Sequence, residues 1–222
     1  MTDSPAAASI APHLLIVGVD PSSSRTGFAV LKVSTGGEEL LERGSIRMMQ
    51  SWALERKLAN LAREFAELVD AVVRDHGRID AAGVETPTPR GNRNVNRAGL
   101  FAWARAVGVV EAVLAVKGVD VIPAGVDRWA RATKKEDRAA NIARRFPAYD
   151  VASDRGKPSD RGLDEADAIG VGLYIAREVR KGAIVNGGDV RRALGALCAT
   201  TSDPTRSRRS PRAPKRPQAL VG

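Results

Sequence analysis

The chain has 222 residues, 43% of them apolar, and a formal net charge of +9. That length allows one substantial α/β core plus a tail, and the single cysteine, Cys198, excludes an intramolecular disulfide framework and suits a reducing cytoplasm. The start, MTDSPAAASIAPH, lacks the basic residues and long apolar run of a signal peptide, and LLIVGV is too short to span a membrane.

In chain order, residues 1–12 read as a flexible start, and HLLIVGVDP as a strand buried on both faces that ends in Asp20. PSSSRTG supplies a turn, FAVLKV a second strand, STGGEE a hairpin and LLERGSIRM a third strand. A helix is predicted over residues 52–75, where Leu54, Leu58, Leu61, Phe65, Leu68 and Val72 step by four and three along one face. Gly77 ends it. IDAAGVE is a fourth strand, finishing on Glu85, and the proline-containing TPTPRGNRNVNR is a loop. A second helix covers Ala98–Val116; it is apolar nearly all round and is expected to be buried on more than one side. VDVIPA is a fifth strand, and a further helix is predicted from Lys135 to Phe146.

The stretch RGLDEADAIGVGLYIA contains the letters DEAD, yet an ATP-driven helicase also needs an upstream GxxxxGK[ST] loop to cradle phosphate. The nearest candidate, Gly156-Lys157, is followed by Pro158, and the residues before Asp164 are polar rather than a hydrophobic strand. As a helix, the segment places Asp164 and Asp167 on one face and Glu165 on another, with Ala168, Val171 and Ile175 continuing the first face toward a sheet. Gly170 and Gly172 lower helix propensity, and the alternation of Ile169, Val171, Leu173 and Ile175 also fits a strand. The helix is preferred because the run continues into REVRK, whose basic residues suit a helix C-terminus.

Asp20 and Glu85 both end strands, and Asp164 and Asp167 open a helix. Taken singly, each has a plain structural explanation as a turn or helix-start residue. Brought together, four carboxylates repel and raise one another's pKa unless a cation sits among them. An all-oxygen ligand set selects Mg²⁺ or Mn²⁺ rather than zinc, and a pair of such ions suits in-line hydrolysis of a phosphodiester. The two histidines, His13 and His76, form no zinc-like pattern.

VGVDPSSSRTGFAVL, GVETP, TKKEDRA and DEADAIGVGL together resemble the RuvC-type Holliday-junction resolvases of the RNase H-like superfamily, over about His13 to Lys181. The resemblance implies an RNase H-like α/β fold, a five-stranded mixed sheet flanked by helices, in a nuclease domain spanning residues 13–181. It implies that Asp20, Glu85, Asp164 and Asp167 are metal-binding catalytic acids, with two Mg²⁺ ions per site and Mn²⁺ able to substitute. Lys135, with Lys134 beside it, matches the family's lysine near the scissile phosphate, and Arg105 the arginine of the helix after the second acid. The family acts as a homodimer on four-way junctions, and the apolar helix Ala98–Val116 suits such an interface as well as it suits burial within one subunit.

The chain departs from the bacterial pattern in the loop after Glu85, which lacks an aromatic residue and carries Arg90, Arg93 and Arg97. Arginine contacts to phosphate give affinity without reading sequence, so flaps join four-way junctions as expected branched-DNA substrates. Residues 182–202 form a short extension with helical character. Residues 203–222, with six basic residues against one acid, carry +5 of the +9. With four prolines in PTRSRRSPRAPKRP, this segment is expected to be a disordered basic tail that contacts a polyanion, through Arg208 and Arg209 among others. Such a tail resembles the phage-encoded members.

Three rival functions remain at this stage. An actin-like or sugar-kinase-type ATPase would need a second phosphate loop in a second domain, for which the chain is too short. A non-catalytic DNA-binding protein would gain by losing acids that repel phosphate. An RNA-processing nuclease of the same superfamily stays open. Trp52, Trp103 and Trp129 are expected to pack rather than to stack on bases.

Overall fold

The computed structural model describes residues 13–34, 36–87, 97–130, 133–149 and 162–185. Three strands come first, β1 (Leu14–Asp20), β2 (Arg25–Ser34) and β3 (Gly37–Arg47), followed by helix α1 (Leu54–His76) and β4 (Ala81–Thr86). Then come α2 (Arg97–Val116), β5 (Val121–Gly125), a four-residue helix α3 (Val126–Trp129), α4 (Lys135–Arg145) and α5 (Gly162–Val185). The start expected to be flexible (residues 1–12), residues 186–222 with Cys198, and Arg90, Arg93, Arg208 and Arg209 lie outside the described residues.

The strands form one mixed sheet in the order β3-β2-β1-β4-β5. The first three pair antiparallel, while β1–β4 and β4–β5 pair parallel. The central strands are nearly continuous apolar runs because both faces are covered. On one face Leu15, Val17 and Val19 pack with Leu58, Leu61, Phe65, Val69 and Val72 of α1 and with Ala106, Val110 and Leu114 of α2. On the other, Ile16, Ala29, Leu31 and Ala81 pack with Ile169 and Ile175 of α5 and Ala139 and Ile142 of α4. Pro123 is placed in β5, an edge strand, where a missing N–H is tolerated.

The five strands and four longer helices follow the sequence expectation; α3 was not anticipated. The helix–strand ambiguity of IGVGLYI is settled by packing. Ile169, Val171 and Ile175, two apart in part, are all buried because α5 lies in a trough where helix and sheet meet almost backbone to backbone. In α1 the buried stripe runs through Val69 rather than Leu68, which is only partly buried.

One expectation is corrected. Helix α2 is not buried on more than one side: Ala106, Val107, Val110 and Leu114 face the core, while Phe101 is 62% and Val116 85% exposed. Leu100, Ala104, Gly108, Ala112 and Ala115 are exposed as well. The composition reports an apolar helix, but α1 and the sheet edge lie on the same side of it and leave the opposite face open. Its 20 residues are long and apolar enough to cross a membrane. Here its buried face packs against α1 and against β4 and β5 of the sheet.

Candidate active site

Asp20 closes β1 and Glu85 stands in the penultimate position of β4. These two strands are parallel neighbours, with Val19 level with Val84, so the acids that follow project from the same edge of the sheet. It is here that the chain leaves β1 for β2 on one side and reaches β4 on the other, and the carboxyl ends of strands at such a reversal form a natural crevice. The turn after Asp20 is tied by Thr26, which is fully buried. Its hydroxyl donates to the Ser22 carbonyl at 3.0 Å and accepts from the Ser22 N–H at 3.1 Å.

The other two acids arrive on the first turns of α5. Glycines let the helix come this close: a Cβ on Gly27 of β2 would stand 2.2 Å from the Asp164 carbonyl oxygen. Glu165 points away from the cluster, as the helical spacing implies. It is buried and paired with Arg43 of β3, whose guanidinium lies 4.6 Å from the ring centre of Tyr149. Burial, then the Glu165 carboxylate, pushes the Tyr149 hydroxyl up to about 12.

Helix α4 sends two cations into the acids. Lys135 Nζ donates to Asp164 Oδ1 at 2.6 Å and lies 3.2 Å from Asp167 Oδ2. Burial acts to lower the Lys135 pKa, but Asp167, Asp164 and Asp20 outweigh it and raise it well above the usual lysine value. Arg138, one turn on, donates from Nε to Asp167 Oδ1 at 2.8 Å and from Nη2 to Asp167 Oδ2 at 3.0 Å. Arg25 of β2 stands 3.8 Å from Asp164 Oδ2.

The acids are electrostatically uneasy. Burial, followed by the charges of Glu85 and Asp167, holds Asp20 well above the ordinary carboxylate range. Burial and Asp167 push Glu85 up to about 7, against the pull of Arg138, Lys135 and the Trp129 indole. Desolvation and mutual repulsion of this kind are what a bound cation relieves. Among the described residues no three acids are gathered closely enough to hold an ion as they stand; Asp164 and Asp167 converge instead on the Lys135 ammonium and the Arg138 guanidinium. The ammonium is a stand-in cation in a carboxylate setting, and the donor set, oxygen throughout, fits a hard divalent ion.

The structure therefore brings together Asp20, Glu85, Asp164, Asp167 and Lys135. Lys134 is exposed at the N-cap of α4, and Arg97 is exposed at the start of α2. Arg105 is not joined to the acids; it pairs with Glu55 of α1 at 3.2 Å and stacks on Phe101. Trp103 packs against the core, whereas Trp129 stacks on Arg138, 5.0 Å from ring centre to guanidinium carbon. Arg138 was missed as a site residue. Its signal was available: it stands three residues after Lys135, and that spacing puts both on one helix face.

A family model described as "Crossover junction endodeoxyribonuclease RuvC" matches residues 16–126, which include Asp20 and Glu85. The RuvC of Bdellovibrio bacteriovorus is 27% identical over 179 residues, covering 78% of this chain and 95% of its own. Among solved structures, T. thermophilus RuvC in complex with Holliday junction substrate superposes with a TM-score of 0.58 at 19% identity, covering 77% of this chain and 97% of its own. The yeast mitochondrial Holliday junction resolvase Ydc2 superposes at 0.53 with 8% identity, covering 87% and 85% of the two chains. With the acids at the strand ends and the matched sheet and helices in the expected order, the chain belongs to the RuvC family of crossover junction endodeoxyribonucleases.

Proposed function

We propose that this protein is a divalent-metal-dependent endonuclease that resolves Holliday junctions, acting as a homodimer in the cytoplasm. The observation that carries the reading is the convergence of acids from β1, β4 and α5, with Asp20 and Glu85 held above their ordinary pKa range by burial and mutual repulsion. Asp20, Glu85, Asp164 and Asp167 would hold the metal, two Mg²⁺ ions with Mn²⁺ able to substitute. Bound there, such ions lower the pKa of an attacking water and stabilise a departing 3′ oxygen.

The chain's own residues supply the rest. Lys135, on the rim of the cluster, neutralises charge that builds on a phosphate placed against the acids. Lys134 and Arg97, both exposed, and Arg90, Arg93, Arg208 and Arg209 contribute phosphate contacts along the flanking arms. The exposed apolar face of α2, from Phe101 through Ala104, Gly108 and Ala112, supports the homodimer, since a second copy would cover it. Two copies would present two sites to two strands of a four-way junction.

The test is cleavage of matched labelled substrates with Mg²⁺, Mn²⁺ or EDTA: a four-way junction, a flap, a linear duplex and an RNA–DNA hybrid. Paired, metal-dependent nicks in the junction are expected, and Asp20→Asn is expected to abolish them while junction binding stays within a few-fold. Preference for the hybrid, or unchanged cutting by Asp20→Asn, refutes the reading.

A further inference from the structure

Both oxygens of Asp167 are already taken by a cation other than the flexible lysine. Arg138 grips them in parallel, at 2.8 and 3.0 Å, and its Nη1 donates to the Thr133 carbonyl at 2.7 Å. Its flat face rests against Trp129 at 5.0 Å. The ring is wedged in turn against α5, where a Cβ on Gly170 would stand 2.7 Å from Trp129 Cζ3. The guanidinium is thus fixed on three sides, by a carboxylate, a carbonyl and a ring. Lys135, by contrast, holds its carboxylates through one ammonium on a four-carbon stem, with neither a fork nor a ring to fix it.

The Trp129 indole N–H is buried and turned toward Glu85, where it acts to lower that acid's pKa against the effect of burial. Trp129 therefore backs Arg138 with its face and bears on Glu85 with its edge.

From this geometry we infer that Arg138, seated by Trp129, is a positioning residue that sets the plane of Asp167 and, as a permanent counter-ion, holds down the site's affinity for divalent metal. A carboxylate has lone pairs enough to accept a forked guanidinium and still offer one oxygen to an ion. What the arginine contributes is alignment of that oxygen. What it costs is affinity, because a fixed positive charge in contact with a ligand repels an incoming divalent ion. The inference rests on the proposed metal-dependent nuclease activity and specifies how one of its acids is held.

The experiment compares Mn²⁺ binding by the full-length protein, followed by calorimetry and by Mn²⁺ EPR, with single-turnover junction cutting at saturating Mn²⁺. Arg138→Gln is expected to bind Mn²⁺ about tenfold tighter and to cut roughly 10- to 100-fold more slowly, the usual range for loss of a group that orients a metal ligand. Arg138→Lys keeps the charge and loses the fork, so its Mn²⁺ affinity should return to near the wild-type value while cutting stays slow. A merely structural role predicts neither the gain in affinity nor this split. If wild type binds Mn²⁺ and cuts junctions but Arg138→Gln binds Mn²⁺ no more tightly, the inference about Arg138 fails alone. If wild type neither binds Mn²⁺ nor cuts, the nuclease reading fails and takes the inference with it.

Discussion

Gly18 of β1 lies so close beneath Ala168 of α5 that a Cβ on the glycine would stand 2.1 Å from the Ala168 carbonyl oxygen. The Gly172 amide nitrogen would be 2.6 Å away, so backbone blocks the space on both sides. Neither obstacle can rotate aside. Gly18→Ala is therefore expected to destabilise the protein by about 3 kcal/mol or more, at the upper end of overpacking costs. Gly172→Ala meets the tip of Leu31 at 2.8 Å, with the Gly18 backbone at an ordinary 3.6 Å, and regains roughly 1 kcal/mol of helix propensity, so its net cost should be much smaller. Urea unfolding of the two variants decides the matter; equal costs would show that α5 does not sit this tightly on the sheet.

The raised acids give the metal-free protein a pH signature. Glu85 titrates at about 7 in the fold, above its ordinary 4.5, so between those values the folded state holds a proton that the unfolded chain has released. Stability from this group is therefore greatest at low pH, falls as pH rises through that window, and stays reduced above pH 7. In EDTA, Tm is expected to fall from pH 5 to pH 8 with a steeper slope for wild type than for Glu85→Gln. Adding Mn²⁺ should raise Tm more at pH 8 than at pH 6, because the ion must displace the proton. A metal-induced shift independent of pH would contradict the assigned cluster.

Lys135 bridges Asp164 and Asp167 at 2.6 and 3.2 Å and stays protonated at any working pH, its pKa being raised by those acids. Lys135→Gln is expected to slow single-turnover cutting about 100-fold, the scale for losing one stabiliser of transition-state charge. Junction binding, measured in EDTA, should change only a few-fold, since one phosphate contact among many is lost. A variant that cuts normally would remove Lys135 from the reaction.

Phe101 is 62% exposed beside Leu100, at 37%, on the uncovered face of α2. If that face joins two copies, Phe101→Glu places a charge in an apolar contact and should weaken dimerisation by about tenfold or more. Sedimentation would then show a shift from dimer toward monomer at micromolar protein, and junction cutting should change from paired to single nicks. An unaltered dimer would place the interface elsewhere.

Much of the fold was legible because short-range physics controls it. The apolar runs ending in Asp20 and Glu85, the stripe through Leu58, Leu61 and Phe65, and the Asp164–Asp167 spacing are local patterns that a sheet covered on both faces requires. The same patterns located the four acids, whereas Lys135 came only with the family resemblance. Helix α2 was misjudged in one respect: composition records that a face is apolar, but only the position of the sheet says whether anything covers it.

What the sequence by itself determined is the order of the elements and the acids that end or open them, since both are carried by residues within a few positions of one another. What only the tertiary structure decided is which charges meet. Arg138 grips Asp167 across 29 positions and Arg43 pairs with Glu165 across 122, while Gly18 and Gly27 admit α5 to the sheet. Such pairings depend on how two elements dock, and no periodicity along either element encodes the distance between them.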